Sequence, residues 1–286
     1  PPVVSHDLDN RVSRSARPPP SRLHALDVAR AIAILGMILV NYRAMSAPDD
    51  LGARWLEWPI DRIEGKAAAL FVVLAGIGLS LRARSWAHRR SPRATLQRSL
   101  LRRAAVLFGL GLLNLHVWEW DILHCYGVFL FVGAALLYAS DRELFLSGAF
   151  LVGIAIGLQA VQTEAVEFDF WSPLGALLDM TSLGLFPFFP WGVFLLFGLW
   201  LGRLDLRQGL GGRAWWLTAA AVVIALEVIT VRLMPTHDFD QVGLSWDYAV
   251  MAWPRPAGPA FLLSGLCASY LAVRACVAAE LRWRET

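Results

Sequence analysis

The chain predicts an all-α, polytopic integral membrane protein of about eight transmembrane helices with both termini cytoplasmic, and three observations carry that expectation. Of its 286 residues 57% are hydrophobic and only 17% charged, where soluble domains are roughly half apolar and about a quarter charged. The apolar residues gather into about eight runs of roughly 18–22 residues, enough to cross about 30 Å of hydrocarbon. These runs lack the alternation of barrel strands, so they read as helices. Finally, arginines and acids sort into alternate connections, with only the fourth, Asp141-Arg142-Glu143, uninformative.

The first run, 24–43, follows a polar stretch carrying Pro18-Pro19-Pro20, so residues 1–22 are expected to be a disordered cytoplasmic tail. Residues 22–47 imitate a signal peptide in outline, but Asp27 and Arg30 inside the apolar stretch favour a retained span. The second run, 63–81, opens on Glu64-Gly65-Lys66, and its Gly76 and Gly78 suit close helix packing, as do Gly109 and Gly111 later. The third, 103–118, is the weakest and reaches full length only if the arginines before it snorkel. The connection to the fourth, 122–139, is so short that the two must form an antiparallel hairpin. The fifth is 143–161. The sixth, 183–202, is entered through Phe186-Pro187-Phe188-Phe189-Pro190-Trp191, whose prolines bend or delay it. The seventh is 214–233 and the eighth 259–279. With no repeat and no long linker, residues 23–286 read as one membrane domain.

The arginines set the orientation. Arg11, Arg14, Arg17 and Arg22 precede the first run, and eight arginines from Arg82 to Arg103 fill the second connection, with no acid between Glu64 and Glu119. Arg203, Arg207 and Arg213 lie in the sixth connection, and Arg282 and Arg284 end the chain. Asp49, Asp50, Glu57, Asp61, Glu119, Asp121, Glu164, Glu167, Asp169, Asp179, Asp238, Asp240 and Asp247 occupy the other side. Basic residues stay cytoplasmic, which requires an even number of spans. Many of the 13 tryptophans, among them Trp118, Trp171, Trp215 and Trp253, fall at span ends, as interfacial anchors should. The three cysteines, Cys125, Cys267 and Cys276, show no paired spacing, so neither a disulfide framework nor a metal cage is expected. The net charge of +3 is concentrated in loops and does not form a nucleic-acid-binding face.

The polar residues that such a protein should exclude form two layers. Outside stand Asn41, Glu64, Lys66, His116, Asp121 and His124; Asp121 and His124, three apart, share a helix face. Ionisable groups at the edge of hydrocarbon are a functional signal, although His116 and Asp121 pairing at a helix turn is an equally good account. Lys66 is the only lysine among 26 lysines and arginines, either a compact point charge in a site or a snorkelling helix-end residue. Inside stand Asp27 and Arg30, a natural i, i+3 pair, facing the arginines Arg82, Arg84, Arg102 and Arg103, which would suit a ligand carrying several phosphates. Glu227 lies deep in the seventh run and needs a partner there, most simply as a clasp between helices.

The motifs resemble a known family. Leu26-Asp27-Val28-Ala29-Arg30 with Val40-Asn41, Glu64-Gly65-Lys66 with Leu70-Phe71, and His116…Asp121-Ile122-Leu123…Tyr126-Gly127 resemble the transmembrane acyltransferases related to heparan-alpha-glucosaminide N-acetyltransferase, nearest its bacterial YeiB-type branch. Phe189-Pro190-Trp191 with Gly202-Arg203 is similar to a later helix of that group. One departure matters: the sugar-acetylating branch carries a histidine soon after its Asn, and here none lies between Asn41 and Ile60.

The resemblance implies transfer of an acyl group, acetyl above all, from cytosolic acyl-CoA to an extracytoplasmic or membrane-embedded glycan, lipid or small molecule. The expected setting is a bacterial inner membrane, with a homo-oligomer allowed and no metal. On that reading His116 is the candidate base or acyl carrier, Asp121 orients it, Asn41 and Lys66 stabilise the oxyanion, and His124 is a reserve base. Asp27, Arg30, Arg82, Arg84, Arg102 and Arg103 would hold the coenzyme. The competing classes are a transporter, for which charged residues should line a path across the midplane and duplicated halves are common, and a non-catalytic assembly partner.

Overall fold

The computed structural model describes residues 23–45, 54–89, 92–118, 121–161, 169–208, 210–234, 245–255 and 257–285. The tail expected over 1–22, and Glu119, Trp120, Glu164, Glu167, Asp238 and Asp240, lie outside them. The described residues form α1 (His24–Met45), α2 (Arg54–Ile63), α3 (Lys66–His88), α4 (Arg93–Asn114), α5 (Leu123–Ala135) and α6 (Asp141–Val161). Next come α7 (Pro173–Leu178), continued by a π turn over Asp179–Leu183, and α8 (Phe188–Leu201). The chain then adds a 3₁₀ turn, α9 (Arg213–Leu233), α10 (Trp246–Val250) and α11 (Pro259–Glu285). No strand occurs among them.

Five helical segments are long and apolar enough to cross a bilayer: α1, Pro59–Ala87, α6, α9 and Pro259–Arg284. The pair α7–π turn and α8, bent by 55°, makes a sixth if it counts as one broken span. The hairpin accounts for the difference from eight. α4 has the length but begins at Arg93, because Arg, Leu, Gln and Ala favour helix whether or not they are apolar. α5 is apolar but has only 13 residues.

α3 and α8 form the centre. Val72, Val73 and Ile77 of α3 pack with Phe194, Leu195 and Leu199 of α8, all fully buried. The backbones nearly touch, since a Cβ on Gly198 would lie 2.1 Å from the Val73 carbonyl oxygen. α1, α5 and α11 pack against α3, and α9 against α11. At the periphery Leu35 and Ile38, Phe145 and Phe150, and Ile224 and Val228 stand exposed. Apolar exposure on this scale suits a lipid environment and not water.

Two local devices position the polar end. Gly65 takes a φ of 70°, a left-handed turn that glycine adopts without strain, and separates α2 from α3. Gly111 of α4 sits against the start of α5, where a Cβ would lie 2.2 Å from the His124 nitrogen. At the other end of α5, Ser140 and Glu143 form a reciprocal capping box that starts α6.

Candidate functional site

The hairpin turn is organised by Asp121. One carboxylate oxygen accepts from the Asn114 side-chain amide at 2.8 Å. The other accepts from the backbone N–H groups of Leu123 at 2.8 Å and His124 at 3.2 Å, and lies 3.4 Å from His124 Nδ1. Burial opposes ionisation of this carboxyl, but the hydrogen bonds from the His124 ring, the Asn114 amide and the His124 backbone outweigh it and hold its pKa below the ordinary carboxylate value. An Asp ahead of a helix accepting its first N–H groups also caps α5.

The carboxylate therefore orients His124 and not His116. His124 is buried, and its Nε2 lies 3.1 Å from Asp179 Oδ2 and 3.2 Å from Cys125 Sγ. Phe170 meets the ring edge-on. His116 is exposed one turn away, its Nδ1 3.2 Å from the Leu112 carbonyl oxygen and its ring on Trp171 with centroids 4.3 Å apart. The expected pairing of Asp121 with His116 is thus replaced by one with His124, because the α4 terminus turns the His116 ring outward while Gly111 draws the start of α5 in.

Asp121, His124, Cys125, Asp179, Phe170 and Trp171 line a cavity of about 320 Å³. Leu185 and Phe186 also border a neighbouring cavity of about 560 Å³ that includes Asn41. Ion pairs Arg43–Asp61 at 2.9 Å and Arg255–Glu64 at 2.6 Å stand among its lining residues. Lys66 lines neither, although Gly65 and Ala67 on either side of it line the larger one. Its ammonium is 2.7 Å from Glu227, which Arg62 also approaches at 3.3 Å, so the intramembrane carboxylate clasps α9 to the α2–α3 junction.

At the other end, Arg84, Arg93 and Arg203 line a cavity of about 490 Å³ with Trp86 and Tyr138. Arg84 donates to the carbonyl oxygens of Gly202, Arg203 and Leu204 beyond the end of α8, and Arg93 lies over the Tyr138 ring at 4.6 Å. From Ala67 to Arg84 along α3 the two ends stand about 25 Å apart. Of the residues expected to bind a coenzyme, only Arg84 borders this cavity. Asp27 and Arg30 pair with each other at 2.8 Å, and Arg82, Arg102 and Arg103 are exposed outside it.

Asp179 and Cys125 are the cluster members that the sequence reading missed. Asp179 stood in an acidic connection 55 residues from His124. The available signal was Ser172-Pro173, whose hydroxyl accepts from the Gly175 N–H and starts the helix that delivers Asp179.

A helical bundle with an exposed apolar belt and a buried carboxylate–imidazole cluster at one end defines a polytopic membrane protein with a built polar site. Residues 22–234 match the family model described as "Heparan-alpha-glucosaminide N-acetyltransferase, catalytic". The chain belongs to that family, as its motifs led one to expect. No curated protein and no solved structure matches it.

Proposed function

We propose that the chain is an integral-membrane acyltransferase of the YeiB-type branch, moving an acyl group, acetyl first among candidates, from cytosolic acyl-CoA to an acceptor at the extracytoplasmic face of a bacterial inner membrane. The acceptor is a glycan, a lipid or a small molecule. Both termini lie inside, and the α4–α5 hairpin supplies the third and fourth of eight spans. The observation that carries this reading is the pair of unlike cavities at opposite ends of one bundle. The arginine-lined cavity suits the phosphates of coenzyme A, since guanidinium groups bind phosphate bidentately. The opposite cavities combine apolar walls with a few polar groups, as small-molecule sites do.

In the reaction the thioester C–S bond breaks as a C–O or C–N bond to the acceptor forms. His116, exposed beside the Trp171 wall of the mouth, takes the acceptor's proton and returns it to the departing thiolate. His124 cannot do so, with both ring nitrogens engaged. The Asn41 amide donates to the oxyanion, and Lys66, held by Glu227, is given no part in that step.

The test is acyl-CoA-dependent thiol release by detergent-purified protein with membrane glycolipid extract as acceptor. His116→Ala should lower it about 10²–10⁴-fold, the usual range for removing a general base, with melting unchanged. Absence of acyl-CoA binding in the intact protein, or full transfer by the His116→Ala variant, overturns the assignment.

A further inference from the structure

We propose that His124, Cys125 and Asp179 form a binding site for one divalent transition-metal ion, of which zinc is the best fit. The ligand atoms of the three residues lie within 4.8 Å of one another. His124 and Cys125 are consecutive at the start of α5, and Asp179 opens the π turn that follows α7, so the site joins two elements. Imidazole nitrogen, thiolate sulfur and carboxylate oxygen are the donor types zinc takes.

The geometry fits. With zinc at about 2.0–2.2 Å from nitrogen and oxygen and about 2.3 Å from sulfur, neighbouring tetrahedral donors stand about 3.4–3.6 Å apart. Here His124 Nε2 is 3.1 Å from Asp179 Oδ2 and 3.2 Å from Cys125 Sγ. Those two edges need shifts of a few tenths of an ångström, and the third, between Cys125 Sγ and the Asp179 carboxylate, lies within 4.8 Å.

The hydrogen-bonding pattern points the same way. If Nδ1–H donates to Asp121, then Nε2 turns a lone pair toward the Asp179 carboxylate oxygen and the Cys125 sulfur. Loss of the Cys125 thiol proton then leaves three ligand atoms converging on one point, where an ion can sit. A dication facing one thiolate and one carboxylate, with a neutral imidazole, leaves the buried cluster uncharged at its centre. Asp121 then acts as the outer carboxylate that fixes the tautomer and orientation of a metal-bound imidazole. Its own position is fixed by Asn114 and two backbone N–H groups.

Three protein ligands leave a fourth position, which opens on the 320 Å³ cavity walled by Phe170, Trp171, Leu185 and Phe186. Structural zinc sites are closed by four protein ligands, whereas an open fourth position is the mark of a site that takes water or a substrate oxygen. Use of that position in transfer rests on the acyltransferase reading; occupancy of the site does not.

The test measures metal content by elemental mass spectrometry on full-length protein purified in detergent from zinc-supplemented cells, without chelator. About one zinc per chain is expected. Cys125→Ser and Asp179→Asn should each abolish stoichiometric zinc, and Asp121→Asn should weaken affinity about 10–100-fold. Titrating stripped protein with Co²⁺ should give a thiolate-to-cobalt charge-transfer absorption that Cys125→Ser lacks, and His116→Ala should retain both metal and band. Size exclusion and tryptophan fluorescence confirm that each variant is folded. A folded wild-type protein with no stoichiometric metal and no cobalt band overturns the site. So does metal content indifferent to Cys125→Ser and Asp179→Asn. Metal binding without acyl transfer would leave the site standing and count against the acyltransferase reading alone.

Discussion

The Lys66–Glu227–Arg62 clasp offers a perturbation whose outcome separates structure from chemistry at the one lysine of the chain. All three side chains are largely buried, at 10%, 18% and 13% exposure, and the ammonium–carboxylate distance of 2.7 Å is the shorter of the two contacts. Removing the shared anion strands two cations, so Glu227→Gln should cost about 3–5 kcal/mol, the range for breaking a buried pair. Lys66→Met leaves Glu227 still facing Arg62 and should cost less, about 1–3 kcal/mol. The double variant Lys66→Met/Glu227→Gln removes the stranded ammonium and keeps an amide oxygen for Arg62. Its cost should fall short of the summed single costs by about 1–3 kcal/mol, as for residues in direct contact. The assay is equilibrium unfolding in detergent followed by tryptophan fluorescence, alongside acyl transfer on the same preparations. A clasp predicts that the double variant regains activity together with stability. Additivity within about 0.5 kcal/mol would refute the coupling. Regained stability with transfer still lost would refute the clasp account and return Lys66 to the reacting atoms.

Two further outcomes follow from the hairpin. Gly111→Ala drives a Cβ to within 2.2 Å of the His124 nitrogen and should lower stability by about 1–3 kcal/mol through overpacking. Gly109→Ala, with nothing within 4 Å of its Cβ, should raise it by up to about 1 kcal/mol through helix propensity; unfolding curves of the pair check both. Asp121 has a depressed carboxyl pKa, so its stabilisation is complete above the ordinary carboxylate range and fades as pH falls through the lowered value. Asp121→Asn should destabilise at neutral pH and flatten the acid limb of a stability–pH curve, and an unchanged acid limb would contradict the assigned network.

The elements legible in the sequence were those whose signal is local. The runs at 24–43, 143–161, 214–233 and 259–279 lie within α1, α6, α9 and α11, because about 20 consecutive apolar residues allow little else. The hairpin was legible from the shortness of its turn, and the Asp27–Arg30 pair from its spacing. α2, α7 and α10 fell in stretches read as connections. α2 mixes Arg54, Asp61 and Arg62 with apolar residues, and α7 is short and is bounded by Pro173 and by Gly184. Neither reaches spanning length, so a search for spans passes over them. The site was half legible. The spacing put Asp121 and His124 within reach of each other, though Asp121 lies just ahead of α5 and not on its face, and choosing His124 over His116 as the partner depends on how closely α4 and α5 approach at Gly111. The arrival of Asp179 depends on a long-range path that no local pattern encodes.

α5 explains why a shortened helix belongs at this place in the fold. Its 13 residues rise only about 20 Å, against about 30 Å of hydrocarbon. His124 at its first turn borders one set of cavities, while Leu137 and Tyr138, just past its end, border the arginine-lined cavity. Along α5 the two chemistries are therefore about 20 Å apart, closer than the roughly 25 Å separating them along α3. A full-length span would set its two ends at the water interfaces about 30 Å apart, where a carboxylate and an imidazole are cheap to solvate. A helix this short cannot place both of its ends at the interfaces of a bilayer, and inside hydrocarbon each polar group must find a partner. The hydrogen bonds of Asp121, Asn114, His124 and Asp179 are those partners. The polar network is thus what makes the short helix tolerable, and the short helix is what brings the polar network nearer the cavity lined by Arg84, Arg93 and Arg203.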